Sequence, residues 1–170
     1  RPVNYTINVK GRLMDMSRPC VMGILNVTPD SFFAESRMQT EDSIRNRANQ
    51  IIDEGAEIID VGACSTRPGG DVASEDEEMR RLEMALPIIR QAQPNAVISV
   101  ARQTVEKFGA DIINDVEEGA DPDMFRTVAD LGVPYILMSK AANLHDMLIG
   151  LSSKVQQLRA LGQKDIILDP

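Results

Sequence analysis

Short apolar runs without helical period alternate along this chain with longer stretches whose apolar residues recur at helical spacing. The runs Val21–Leu25, Ala56–Val61, Ala96–Val100, Asp111–Val116, Val133–Met138 and Asp165–Leu168 have the length and composition of buried strands. Between them lie helical patterns. Ile44, Ala48, Ile51 and Ile52 share a stripe that opens at Thr40, a candidate N-cap, and closes at Gly55. Met79, Leu82, Ala85, Leu86 and Ile89 form the next stripe, behind Ser74 and an acidic first turn that suits the helix dipole. Helices are also predicted over Arg102–Phe108, Pro122–Leu131 and Leu144–Leu161, each followed by a glycine. Ahead of all this, Tyr5, Ile7 and Val9 alternate with polar residues, and Lys10-Gly11-Arg12 turns toward Leu13 and Met14. That reads as a hairpin over residues 5–14.

Strand–helix alternation with a period of ~30 residues predicts parallel strands joined by right-handed crossovers, in a barrel or a doubly wound sheet. No Gly-x-Gly-x-x-Gly fingerprint and no Walker sequence follows a strand, which weakens a dinucleotide or nucleotide reading. The polar interruptions of the apolar runs are more informative. Asn26, Asp60, Asn114, Asp115 and Asp169 all fall near carboxyl ends of predicted strands, the end at which parallel α/β folds place their sites. A buried carboxamide or carboxylate needs a partner. For Asn26 the partner is either the backbone of the loop that follows or a ligand or metal. Asp60 reads as a brace for its own loop, and Asp115 suits either role. Asn114 and Asp169 point to ligand contact, because an amide and a carboxylate together match the alternating donors and acceptors of an aminopyrimidinone edge. Arg67, between Thr66 and Pro68, is either a surface residue or an anion contact.

Composition narrows the class. With 170 residues, 43% of them hydrophobic and 26% charged, the chain can bury one core. A net charge of −8 and the absence of Trp argue against nucleic acid as a partner. No run of ~18 apolar residues predicts a membrane span. The cysteines, Cys20 and Cys64, have no disulfide or zinc spacing, so a cytoplasmic setting is expected. His145 falls in a helical register and is given no catalytic role, and the nine methionines read as core filler.

The decapeptide Gly23–Phe32, G-I-L-N-V-T-P-D-S-F, resembles the opening signature of the dihydropteroate synthase family. I-I-D-V-G at 58–62, S-T-R-P-G at 65–69, I-I-N-D-V at 112–116, D-P-D-M at 121–124 and I-L-D-P at 167–170 follow in that family's order. The resemblance implies a single pterin-binding (β/α)8 barrel of TIM type spanning residues 1–170, with about six of its eight strands present. It implies a transferase of folate synthesis, and a sulfonamide target, that joins p-aminobenzoate to 6-hydroxymethyl-7,8-dihydropterin diphosphate with release of diphosphate. The expected cofactor is Mg²⁺, and a cytoplasmic homodimer is the expected assembly. Position by position, Asn26 resembles the residue on the magnesium–diphosphate side. Thr66 and Arg67 resemble catalytic-loop residues near p-aminobenzoate and diphosphate, and Asn114, Asp169 and Met138 resemble pterin contacts.

Departures from the family set further expectations. Its third strand normally leads into an Asp-Thr pair, whereas Ser99-Val100 here runs into Ala101-Arg102-Gln103. The link from Val100 to Asp111 is at the lower limit of ~10–12 residues for a crossover. The last two strands, with the family's Lys and its Arg-x-His pair, do not occur. These facts predict a chain incomplete at its C-terminal end and in loops, an intact mass above 18.7 kDa for the purified material, and no turnover by the 170 residues alone. Two other readings remain: a methyltetrahydrofolate domain of a corrinoid methyltransferase, and a non-catalytic remnant.

Overall fold

The apolar runs form parallel strands and the periodic stretches form helices. The computed structural model describes residues 5–27, 37–63, 75–100, 110–115 and 123–170. In chain order these hold β1 (Thr6–Val9), β2 (Arg12–Asp15), β3 (Met22–Asn26), α1 (Arg37–Asp53), β4 (Ile58–Gly62), α2 (Glu75–Ala92) and β5 (Val97–Val100). There follow β6 (Ile112–Asp115), α3 (Met124–Leu131), β7 (Tyr135–Met138), α4 (Leu144–Ala160) and β8 (Ile166–Asp169). The chain divides into two compact units, residues 20–100 and residues 1–19 with 101–170. The helix predicted over 102–108 and the cap at Ser74 lie outside the described residues.

In the unit of residues 20–100, β3, β4 and β5 are parallel neighbours, with Ile24 opposite Asp60 and Asp60 opposite Ser99. One face of this sheet is covered by helix. A Cβ on Gly23 would overlap the Ile51 side chain of α1, so glycine is what lets that helix approach. Gly23 shares its face with Ile59 and Ile98, and the adjacent level holds Leu25, Val61 and Val100, all buried. The other face is partly open: Ile24 is 56% exposed. This strand, read from its composition as buried, is covered by helix on one face and partly open on the other. Apolar runs signal burial but do not distinguish one covered face from two.

A correction concerns α1. It begins at Arg37, so Thr40 is not its N-cap but lies inside the helix with a buried side chain. The apolar period starts only at Ile44 because residues 39–43 are all polar. The close at Gly55 holds, with φ +103°.

In the other unit β6, β7 and β8 are parallel neighbours. Ile113 pairs with Tyr135, Asn114 with Ile136 and Met138 with Asp169. The buried Tyr135 ring meets Phe125 of α3 edge-to-face, centroids 6.2 Å apart, which identifies the helix-covered face. α3 ends at Gly132 in the left-handed region, its N–H on the Val128 carbonyl. α4 is capped by Asn143, whose side chain accepts from the Asp146 N–H at 2.9 Å.

The hairpin belongs to this unit. Lys10 and Gly11 both have positive φ (50° and 85°), the twist that a two-residue hairpin turn favours. It is tied to the amino ends of the strands. Lys10 Nζ lies 3.7 Å from Asp111, just ahead of β6, and the Asn8 N–H donates to Asp165, just ahead of β8, at 3.2 Å.

Gln163 fastens the link from α4 to β8. Its buried Nε2 donates to the Val133 carbonyl at 2.8 Å and the Asp165 carbonyl at 3.0 Å. Gln163→Leu takes the side-chain donor from the Val133 carbonyl, while the Asp165 carbonyl keeps the Tyr135 N–H at 3.0 Å, and is expected to lower unfolding free energy by about 1–2 kcal/mol. Urea titration checks this, and a loss below about 0.5 kcal/mol would contradict the role.

Candidate functional site

Side chains alternate across a strand, so register decides which residues can act together. In the unit of residues 20–100 the face away from Ile51 carries Asn26, Asp60 and Ser99. Asn26 is the last residue of β3 and is exposed, with Gly62 as its register partner. A Cβ on Gly62 would come within 3.2 Å of Asn26 Oδ1, so this glycine leaves room for the carboxamide. Asp60 is half-buried at the middle of β4, and Ser99 is fully buried beside it on β5.

In the other unit the face away from Phe125 carries Asn114, Met138 and Asp169. Asn114 is level with Ile136 and Ile167, and Met138 pairs with Asp169 two residues further along. The three predicted pterin contacts therefore lie on one face, at the carboxyl ends of three adjacent strands. Asn114 and Met138 are half-buried and Asp169 is exposed, so the face is open to a ligand. Asp115 is one residue out of phase with Asn114, at the level of Leu137. Thr66 and Arg67 lie outside the described residues.

Magnesium finds no cluster of three or more His, Cys, Asp or Glu side chains among the described residues. The ion does not need one. Mg²⁺ keeps several waters and takes one or two protein oxygens beside substrate phosphates, and an exposed carboxamide oxygen at a strand end is a donor of that kind. Asn26 fits the ion as a single ligand.

One supporting residue escapes a reading of the sequence. Arg81 of α2 is buried, and its Nη1 donates to the Ala63 carbonyl at 2.9 Å while Nη2 meets Glu77 at 2.7 Å. It grips the chain where β4 ends, ahead of residues 64–70. Its position four residues before Ala85, on the buried stripe, is the available signal. Two shifted groups lie outside the parallel strands, Asp15 at the end of β2 and Cys20 ahead of β3. Hydrogen bonds from Ser17 hold the Asp15 carboxyl below its usual range, and burial with the nearby Glu57 charge pushes the Cys20 thiol up.

The pterin binding enzymes match this chain over residues 22–170. The chain belongs to that family. Among its relatives, the dihydropteroate synthase of Bacillus subtilis is 39% identical over 167 residues, covering 88% of this chain and 58% of the relative. A mitochondrial folate synthesis bifunctional protein of Arabidopsis thaliana is 41% identical, covering 80% of this chain and 26% of its own length. The Vibrio fischeri 7,8-dihydropteroate synthase structure superposes with a TM-score of 0.81 at 30% identity, over 98% of this chain and 66% of that one. The Xanthomonas albilineans synthase with 4-aminobenzoic acid gives 0.77 at 31% identity, over 99% and 67%. The resemblance read from the motifs is upheld. The fold is α/β, of the TIM-barrel class of these pterin-binding enzymes, with six of its parallel strands described, three in each unit. The chain spans 58% of the length of the Bacillus relative. No described helix is long and apolar enough to cross a membrane.

Arg81→Met removes a buried charged donor from Ala63 and is expected to lower unfolding free energy by about 2 kcal/mol. The exposed end of the Glu77 pair adds little. Chemical denaturation measures it, and an unchanged midpoint would show that Ala63 needs no such anchor.

Proposed function

We propose that this chain is part of a dihydropteroate synthase, which joins p-aminobenzoate to 6-hydroxymethyl-7,8-dihydropterin diphosphate. The observation that carries the reading is the shared face of Asn114, Met138 and Asp169 at the carboxyl ends of β6, β7 and β8. An amide, a thioether and a carboxylate on one open face suit a flat heterocycle with an edge of alternating donors and acceptors. Asp169 accepts from ring N–H groups, Asn114 both donates and accepts, and Met138 supplies polarizable apolar contact. Two solved relatives hold ligands of these kinds. The Anaplasma phagocytophilum synthase, 32% identical, holds 6-hydroxymethylpterin-monophosphate, and the Xanthomonas enzyme holds 4-aminobenzoic acid.

In this reaction the bond from the pterin methylene carbon to the diphosphate oxygen breaks, and a carbon–nitrogen bond to the arylamine forms. The amine then gives up a proton. Such chemistry needs no protein nucleophile; the protein orients both substrates and stabilises charge. Asn114 and Asp169 hold the pterin ring, which fixes the direction of its methylene. Arg67 pairs with the anionic oxygens that accumulate on the leaving diphosphate, and Thr66 hydrogen-bonds beside it. Asn26 would hold Mg²⁺, which when bound would supply charge neutralisation at the leaving diphosphate. The same reading carries a cytoplasmic homodimer with sulfonamide sensitivity.

The test is calorimetric titration of the full-length protein with the dihydropterin diphosphate, with and without Mg²⁺. Metal-strengthened binding is expected. Asn114→Ala and Asp169→Ala should each weaken it about tenfold or more, as expected when a buried polar edge loses a partner worth about 1–3 kcal/mol. Asn26→Ala should remove most of the metal dependence. Unchanged affinity in both pterin variants would refute the assignment.

A further inference from the structure

Ser99 presents a polar atom that the fold leaves without a partner. Its residue has 0% exposure, and Oγ is the buried side-chain oxygen or nitrogen among the described residues that lacks a hydrogen bond. Buried hydroxyls are nearly always bonded, and an orphan costs about 1–3 kcal/mol. Valine or alanine would serve the packing of V-I-S-V equally well, so a serine here calls for a use. Having no exposed surface, Ser99 cannot touch a substrate itself and must act through a neighbour.

Register names the neighbour. Ser99 is the Cα partner of Asp60 on the adjacent parallel strand, and both lie on the face that ends at Asn26. Paired residues of adjacent strands sit about 5 Å apart, within reach of a hydroxyl-to-carboxylate bond after a turn of the serine χ1. Asp60, unlike Ser99, is only half-buried, so it connects the interior to the open part of that face. We propose that Ser99 is a positioning residue that donates its hydroxyl hydrogen to the Asp60 carboxylate. The bond holds one carboxylate orientation toward the substrate side of β3–β5. β5 brings no other polar side chain to that level, since Val97 is apolar and Val100 lies on the opposite face. The consequence for substrate rests on the synthase reading; the bond itself does not.

Two measurements on the full-length protein test the parts separately. First, the Asp60 carboxyl carbon is followed by ¹³C NMR at fixed pH without ligand, in the wild type, Ser99→Ala and Ser99→Cys. The cysteine variant keeps the volume but is a poor donor, and guards against a packing defect in the alanine variant. A displaced Asp60 resonance in both variants, with folding intact, is expected; an unmoved resonance would overturn the bond. Second, Kd for the dihydropterin diphosphate is measured in Ser99→Ala, Asp60→Asn and the double variant. Ser99→Ala should weaken binding about tenfold, and should add little once Asp60 is already replaced. Equal losses in both backgrounds, or no loss, would overturn the positioning role. A wild type that binds no diphosphate substrate would fail the synthase reading, while the resonance still decides the bond.

Discussion

The contact of Gly23 with Ile51 settles which half of each strand in residues 20–100 belongs to the core and which half is left for chemistry. Parallel strands alternate their side chains, so one identified face identifies the other. With α1 packed against Gly23, the residues two apart from it are core, and those between are Ile24, Asn26, Asp60 and Ser99. The pair of Tyr135 and Phe125 does the same for β6–β8 and releases Asn114, Met138 and Asp169 to the free face. A one-residue slip in either unit would bury the polar set and expose the apolar one, a change far costlier than any single contact.

This constraint also separates the two ends of the strands. In the unit with β6–β8, structural tethers gather at the amino ends, where Asp111 and Asp165 hold the hairpin. Asn114 and Asp169 lie toward the carboxyl ends. Stability and chemistry are thereby divided along the strand, as parallel barrels generally divide them. Arg81 stands at the meeting of the two tasks: it is spent on the carbonyl of Ala63, where β4 stops and the chain turns away.

Much of this was legible beforehand, for physical reasons. Asn114 and Asp169 stand out because polar residues interrupt apolar runs, and burial makes such interruptions costly. The glycines at 55 and 132 mark helix ends because they adopt positive φ. What could not be read was phase. Asn114 and Asp115 are consecutive and equally polar, and only the pairing with Ile136 and Leu137 tells which shares a face with Asp169. Ser99 passed unnoticed because serine inside V-I-S-V breaks no pattern. Thr40 is inside the helix and not at its cap because helical propensity, unlike apolar periodicity, continues through the polar residues ahead of Ile44.

The open face of β6–β8 is proposed to hold a pterin. A crystal structure of the full-length protein soaked with 6-hydroxymethylpterin tests it most directly. The account predicts the ring edge within hydrogen-bond distance of both Asn114 and Asp169, with Met138 against the ring. A pterin bound elsewhere, with those two side chains untouched, would contradict it.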